Sequence, residues 1–101
     1  MTERDIAVSV VVSGGSGTSD FAAWGTIRSI HVKPGAETDT YRCQVLDAAS
    51  KSRWDAGQEG QTGSKHWNDV NTTVGNGTYT MSFANSTNGT YAVIVSMDNA
   101  R

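Results

Sequence analysis

The 101-residue chain has few of the residues that cross-link a small protein or give it a strong charge. Its single cysteine, Cys43, cannot form a disulfide within the chain, and Pro34 is its only proline. Charged residues make up 18% of the sequence, and the eight Lys and Arg residues are scattered along it. Because nucleic acids and membrane surfaces are bound through basic clusters, we expect neither as a partner.

Long hydrophobic runs are also missing. No apolar segment approaches the roughly 20 residues of a membrane-spanning helix. The apolar stretch 6–12 is too short for the core of a signal peptide and is interrupted by Ser9. We therefore expect no signal peptide and a protein made in a reducing cytoplasm, where Cys43 is buried as a small hydrophobic residue. The length predicts a single domain, 1–101.

The sequence is rich instead in glycine, with 11 residues, and in short segments where apolar and polar residues alternate. A period of two predicts β-strands, and no window of eleven residues keeps a helical period. The predicted strands are 5–12, 24–33, 40–47, 51–54, 66–70, 78–84 and 90–97. Six to eight short strands with turns every 8–12 residues predict an all-β fold, an antiparallel β-sandwich of jelly-roll or immunoglobulin-like type.

A near-repeat marks the last two predicted strands. The runs are Asn76-Gly77-Thr78-Tyr79 and Asn88-Gly89-Thr90-Tyr91, each followed by alternating apolar residues. Asn-Gly flanked by such alternation is a strong signal of a tight turn, so we predict that 78–84 and 90–97 form a hairpin.

The N-terminal third contains two segments predicted to be irregular. Residues 1–5 are assigned to an extended N-terminal arm, and the Gly/Ser-rich residues 13–19 to a flexible loop. That loop is longer than a tight turn, so the first two strands are not expected to pair. Val11 suggests some burial on the second face of the first strand. In the next strand, Ile27 is predicted to face away from Ile30 and Val32.

No residue pattern indicates catalysis. His31 and His66 are 35 residues apart, with no cysteine or carboxylate at metal-ligand spacing, so no metal site is expected. Asp47 and Asp55 are the only pair considered for acid–base chemistry, and we interpret them as turn residues. We therefore predict no catalytic, cofactor-binding or metal-binding residues and no enzymatic activity.

The three tryptophans are the candidate contact residues. Trp24, Trp54 and Trp67 lie near strand ends or glycine-rich segments, outside the clearest core stripes. A tryptophan in such a place either closes the end of the sandwich or anchors an interface, because tryptophan is enriched at binding hot spots. Stacking on a sugar is the third possibility. We predict that all three bind a partner.

The order of strands and turns in residues 24–97 resembles that of small β-sandwich structural proteins of tailed bacteriophages. The run 27–34 leads into a proline turn, 40–47 is a Tyr-containing strand ending in Asp47, and a Gly-Thr-Tyr strand with 92–95 closes the domain. The resemblance implies a capsid decoration (cement) protein that binds the major capsid protein and stabilises the shell. It further implies a homotrimer located on the capsid surface of the virion.

Two alternatives stay open from the sequence. A phage tail, baseplate or head-fibre module would have the same kind of fold and the same lack of catalytic residues. A carbohydrate-binding module is suggested by the three tryptophans and the Asn-rich turns.

Overall fold

The computed structural model describes residues 3–55, 61–68 and 70–98. These residues form eight strands and no helix, which confirms the predicted all-β class. The strands are β1 (Glu3–Val12), β2 (Gly17–Lys33), β3 (Thr40–Leu46), β4 (Ser52–Asp55), β5 (Gln61–Thr62), β6 (Lys65–Trp67), β7 (Thr72–Ala84) and β8 (Gly89–Asp98). Residues 3–5 of the predicted arm thus belong to β1, and residues 1–2 lie outside the described part.

All strand pairs are antiparallel, and the main sheet has the order β1-β8-β2-β7-β3-β4. The short β5 pairs with β3, and β6 pairs with β2. The long β2 is the centre of the fold. Its residues 17–27 pair with β7, whereas 26–33 pair with β8 on the other edge. The strand therefore belongs to both halves of the sheet.

The two halves face each other across one hydrophobic core. Tyr91 of β8 packs against Phe83 of β7 with ring centroids 4.6 Å apart, and against Tyr41 of β3 at 5.4 Å. These strands are not neighbours of β8 in the sheet, so the sheet folds over to bring its inner faces together. The result is the predicted antiparallel sandwich, with a core drawn from β1, β2, β3, β7 and β8.

Alternation correctly predicted which face is buried in several strands. In β3 the buried residues are Tyr41, Cys43 and Val45, and β8 buries every second residue from Tyr91 to Met97. In β1 the buried face includes Val8, Val10 and Val12. Burial on the second face of β1 was predicted wrongly, because Val11 is 64% exposed.

The predicted flexible loop 13–19 is a four-residue turn followed by strand. Gly14 and Gly15 have φ of 67° and 88°, a combination found in two-residue hairpin turns, and Ser13 and Ser16 form the closing bridge. The backbone N–H of Gly15 donates to Asn88 Oδ1 at 3.1 Å. Beyond this bridge β1 pairs with β8 and not with β2, as predicted. The second strand therefore starts seven residues earlier than expected, at Gly17.

The predicted hairpin of the last two strands is wrong. β2 lies between β7 and β8 in the sheet, and Asn76-Gly77 lies inside β7. The pairing of β2 with β7 shifts register between Ala23 and Gly25, opposite this dipeptide. Neither Asn76 nor Gly77 has a positive φ, and at this irregularity the left-handed conformation is at Gly25 of β2, with φ of 102°. The Asn-Gly signal was therefore misleading.

A second irregularity corrects the predicted orientation of Ile27. The register of β2 with β8 shifts between Ile27 and Ser29. One extra residue reverses the alternation, so Ile27 is fully buried together with Ile30 and Val32. The two short predicted strands 51–54 and 66–70 are present with shifted ends, as β4 and β6.

Candidate functional site: a tryptophan-lined hollow

Strand register brings two of the three tryptophans together. Trp54 of β4 is paired with the buried Val45, and Trp67 of β6 is paired with the buried Ile30. Directly opposed residues share a face of the sheet, so both tryptophans are directed to the core side. Their ring centroids are 5.3 Å apart at an interplanar angle of 71°, an edge-to-face contact. This contact joins β4, the last strand of the sheet, to β6 beside β2.

The tryptophan pair forms part of a surface hollow of about 330 Å³. The residues that line this tryptophan hollow are Trp54, His66, Trp67, Asn68 and Val70. Trp54, Trp67 and Val70 pack against the hydrophobic core but stay partly exposed. The hollow therefore offers indole surface to a ligand, with an imidazole and a carboxamide beside it for hydrogen bonding.

The segment that leads into β6 is fixed by hydrogen bonds. The buried Tyr41 hydroxyl donates to the Gly63 carbonyl at 2.6 Å. Glu37 accepts bonds from the Ser64 backbone N–H at 3.3 Å and the Ser64 hydroxyl at 3.1 Å. These contacts attach residues 63–64 to the sandwich. They therefore help to position Trp67, three residues further along.

Ionisable groups beneath this region are held in their neutral form. Burial raises the pKa of the Tyr41 hydroxyl far above its ordinary value, with smaller contributions from the Cys43 and Tyr91 side chains. Burial also raises the pKa of the Cys43 thiol to about 12, with a further contribution from the charge of Asp55. Tyr41 thus remains a hydrogen-bond donor to Gly63, and the Cys43 thiol is not poised as a nucleophile.

The third tryptophan lies elsewhere. Trp24 is within β2, next to Gly25, and the guanidinium of Arg4 lies 4.0 Å from its ring centroid. Arg4 also donates to the Ala22 carbonyl at 3.4 Å. Trp24 therefore takes part in a cation–π contact between β1 and β2 and does not line the hollow. The three predicted contact residues divide into a pair and a separate residue.

The two carboxylates noted in the sequence, Asp47 and Asp55, have different partners in the structure. Asp47 Oδ1 accepts from the backbone N–H groups of Ala49 at 2.9 Å and Lys51 at 3.0 Å, which confirms its interpretation as a turn residue. Asp55 is the last residue of β4 and forms an ion pair with Arg42 at 2.8 Å, and the residues after it, 56–60, lie outside the described part.

Sequence spacing gave no indication that the two histidines are neighbours. His31 of β2 lies directly opposite His66 of β6, with ring centroids 5.3 Å apart, and both side chains are exposed. Within residues 3–55, 61–68 and 70–98, no group of three or more His, Cys, Asp or Glu side chains is placed to hold a metal ion. The alternation around His31 predicted that its side chain faces outward. Its neighbour His66 could not be predicted, because that contact depends on how β6 pairs with β2.

No protein-family model and no curated protein matches this chain. The resemblance to phage structural proteins therefore stays a prediction. In the part of the chain that the structure describes, no helix has the length and apolar character needed to cross a membrane.

Proposed function

We propose that the protein is a non-catalytic structural protein that docks on a larger assembly through the tryptophan hollow. The observation that carries this proposal is the partly exposed Trp54–Trp67 pair over the hydrophobic core. Tryptophans that pack against the core on one side and are exposed to solvent on the other are typical binding hot spots, because their large rigid surface is desolvated at little entropic cost.

The surroundings of the hollow support binding rather than catalysis. Asp55, next to Trp54 in sequence, forms an ion pair with Arg42, and Asp47 accepts hydrogen bonds from the Ala49 and Lys51 backbone N–H groups. The Cys43 thiol is buried and protonated. Among the residues that the structure describes, the hollow presents aromatic surface with two hydrogen-bonding side chains, His66 and Asn68. This set of groups suits recognition and lacks an activated nucleophile.

The partner that we propose is the major capsid protein of a tailed bacteriophage, with the chain acting as a decoration protein on the outside of the shell. The strand-and-turn resemblance of residues 24–97 motivates this choice of partner. A sandwich closed by β4–β6 contacts is a rigid body that loses little freedom on docking. Many copies on a repeating shell reinforce it even when each contact is weak.

Co-sedimentation tests this proposal. The purified chain is mixed with expanded capsids assembled from the major capsid protein of the same genome, and bound protein is measured after pelleting. We expect saturable binding with a fixed number of chains per capsid subunit. Absence from the pellet at micromolar chain concentrations would contradict the proposal. Tail tubes and baseplates from the same phage test the tail or baseplate alternative.

The volume and the lining of the hollow favour a second candidate, a carbohydrate-binding module. A hollow of about 330 Å³ with two tryptophans, an imidazole and a carboxamide has the composition of a small-ligand site. A glycan panel followed by tryptophan fluorescence distinguishes the two candidates. A saturable change on one glycan, lost in Trp67→Ser, would favour sugar binding. A panel without any response would remove this candidate and leave the capsid proposal standing.

A further inference from the structure

We propose that His31 and His66 chelate one divalent transition-metal ion of the Zn²⁺, Ni²⁺ and Cu²⁺ class. The proposal rests on the strand register and on the separation of the two rings. His66 also borders the tryptophan hollow, but the inference requires neither of the partners proposed above.

The first argument is the placement of the two imidazoles. His31 and His66 are directly opposed in the β2–β6 ladder, so their side chains leave the sheet on the same face. Both are exposed, which leaves the rings free to rotate and open to an ion from solvent. Two ligands on neighbouring backbones are held together before the metal arrives, which reduces the entropy lost on chelation.

The second argument is distance. With nitrogen–zinc bonds of about 2.0 Å and tetrahedral angles, two imidazoles on one ion have ring centres about 5.2 Å apart. The observed separation of the His31 and His66 ring centroids is 5.3 Å. The rings can therefore bind a common ion without movement of either strand, and water completes the coordination.

The neighbouring charges select the type of metal. Lys33 follows His31 by two residues on β2, and Lys65 directly precedes His66 on β6. Lys65 is paired with the buried Val32 and lies on the other face of the ladder, whereas Lys33 shares the face of the histidines. Its ammonium group repels a cation, so binding must come from coordinate bonds to imidazole nitrogen and not from a negative field. Such a site takes Zn²⁺, Ni²⁺ or Cu²⁺, whereas Mg²⁺ and Ca²⁺ require oxygen ligands.

A bound ion would act as a cross-link at a weak point of the fold. β6 has only three residues and a three-pair ladder with β2. His66 is followed directly by Trp67, so an ion on the histidine pair would hold one wall of the tryptophan hollow against the sandwich.

Calorimetric titration of the full chain without an affinity tag tests the inference. The chain has only two histidines, so histidine-dependent binding can come from no other site. At pH 7.5 we expect one ion per chain, with Cu²⁺ bound more tightly than Ni²⁺ or Zn²⁺ and no binding of Mg²⁺. His31→Gln and His66→Gln should each weaken binding at least about tenfold. The control Lys33→Gln, on the same strand, should retain it.

Three results would overturn the inference. The first is no binding up to millimolar metal, and the second is binding that survives when both histidines are replaced. The third is one ion per two chains in the titration together with a dimer mass by light scattering, which would mean that the ion bridges two molecules. Circular dichroism of the metal-free variants verifies that they are folded.

Discussion

Cys43 makes the core sensitive to high pH. Burial raises the pKa of its thiol to about 12, while an unfolded cysteine ionises near its ordinary value of 9.0. Because the folded state holds the proton more tightly, the stability from this group is complete below pH 9 and is lost as the pH rises towards 12.

The variant Cys43→Ala isolates this effect. Between pH 9 and 10, the wild type should lose up to about 1.4 kcal/mol of unfolding free energy per pH unit relative to the variant, which contains the same tyrosines. Urea unfolding at a series of pH values measures the two slopes. Parallel curves would show that the thiol is not protected by the fold. The variant is expected to be less stable at pH 7, so the slopes and not the absolute values are compared.

Asp47 gives the opposite pH dependence. Its pKa is lowered, chiefly by the hydrogen bond from the Lys51 backbone N–H, with further contributions from the Ala49 N–H and the Arg53 guanidinium. A lowered folded-state pKa means that the stabilisation is present above the unfolded value of 3.8 and is lost as the pH falls below it.

We therefore expect Asp47→Asn to be less stable than the wild type at pH 7 and to approach it in stability near pH 2. Thermal unfolding by circular dichroism from pH 7 to pH 2 measures this convergence. The control Asp20→Asn replaces an exposed carboxylate that accepts from the Thr80 hydroxyl, a bond that the Asn side-chain oxygen can also accept. A constant difference between Asp47→Asn and the wild type would contradict the electrostatic explanation.

At the scale of elements, the β1–β2 corner depends on a glycine that allows close backbone approach. A Cβ atom added at Gly17 would collide with the Val11 carbonyl and lie 3.1 Å from Val12 Cα. Both are backbone atoms, so the collision cannot be relieved by a side-chain rotation. The close contact at this corner therefore fixes where β1 separates from β2, so that β1 can pair with β8.

Gly17→Ala should destabilise the protein by about 1–3 kcal/mol through this overpacking. The matched control is Gly75→Ala in β7, where a Cβ would meet nothing within 4 Å. That variant should be close to neutral. Urea unfolding of both variants gives the comparison, and equal effects would show that the close approach in the corner does not matter.

The element scale also shows where sequence reasoning succeeded and where it failed. Strands such as β3 were predictable because alternation is set by local burial, and the pairing of β3 with β7 has no register shift. The neighbours of each strand were not predictable, since Asn76-Gly77 lies within β7 beside a register shift and forms no turn there. The Trp54–Trp67 contact could not be predicted from the sequence for the same reason. It depends on β4 and β6 docking on strands distant in sequence.

At the scale of the whole molecule, the described strands form one sheet folded over a single core, with β2 crossing between its halves. Such a body presents a rigid surface, and the proposed decoration role requires several copies of it. We expect a homotrimer, as the phage resemblance implies. Light scattering coupled to size exclusion should give three times the monomer mass of 10.7 kDa. A monomer at all concentrations would contradict a preformed trimer.

The most direct test of the central claim compares tryptophan variants in the capsid-binding assay. Trp67→Ser removes one wall of the hollow, whereas Trp24→Leu removes the tryptophan beside Arg4 and leaves the hollow intact. Thermal unfolding first establishes that both variants are folded at the assay temperature. If the tryptophan hollow is the docking surface, the dissociation constant should rise on the order of 30-fold for Trp67→Ser and little for Trp24→Leu. Equal binding by folded Trp67→Ser and wild type would contradict the account.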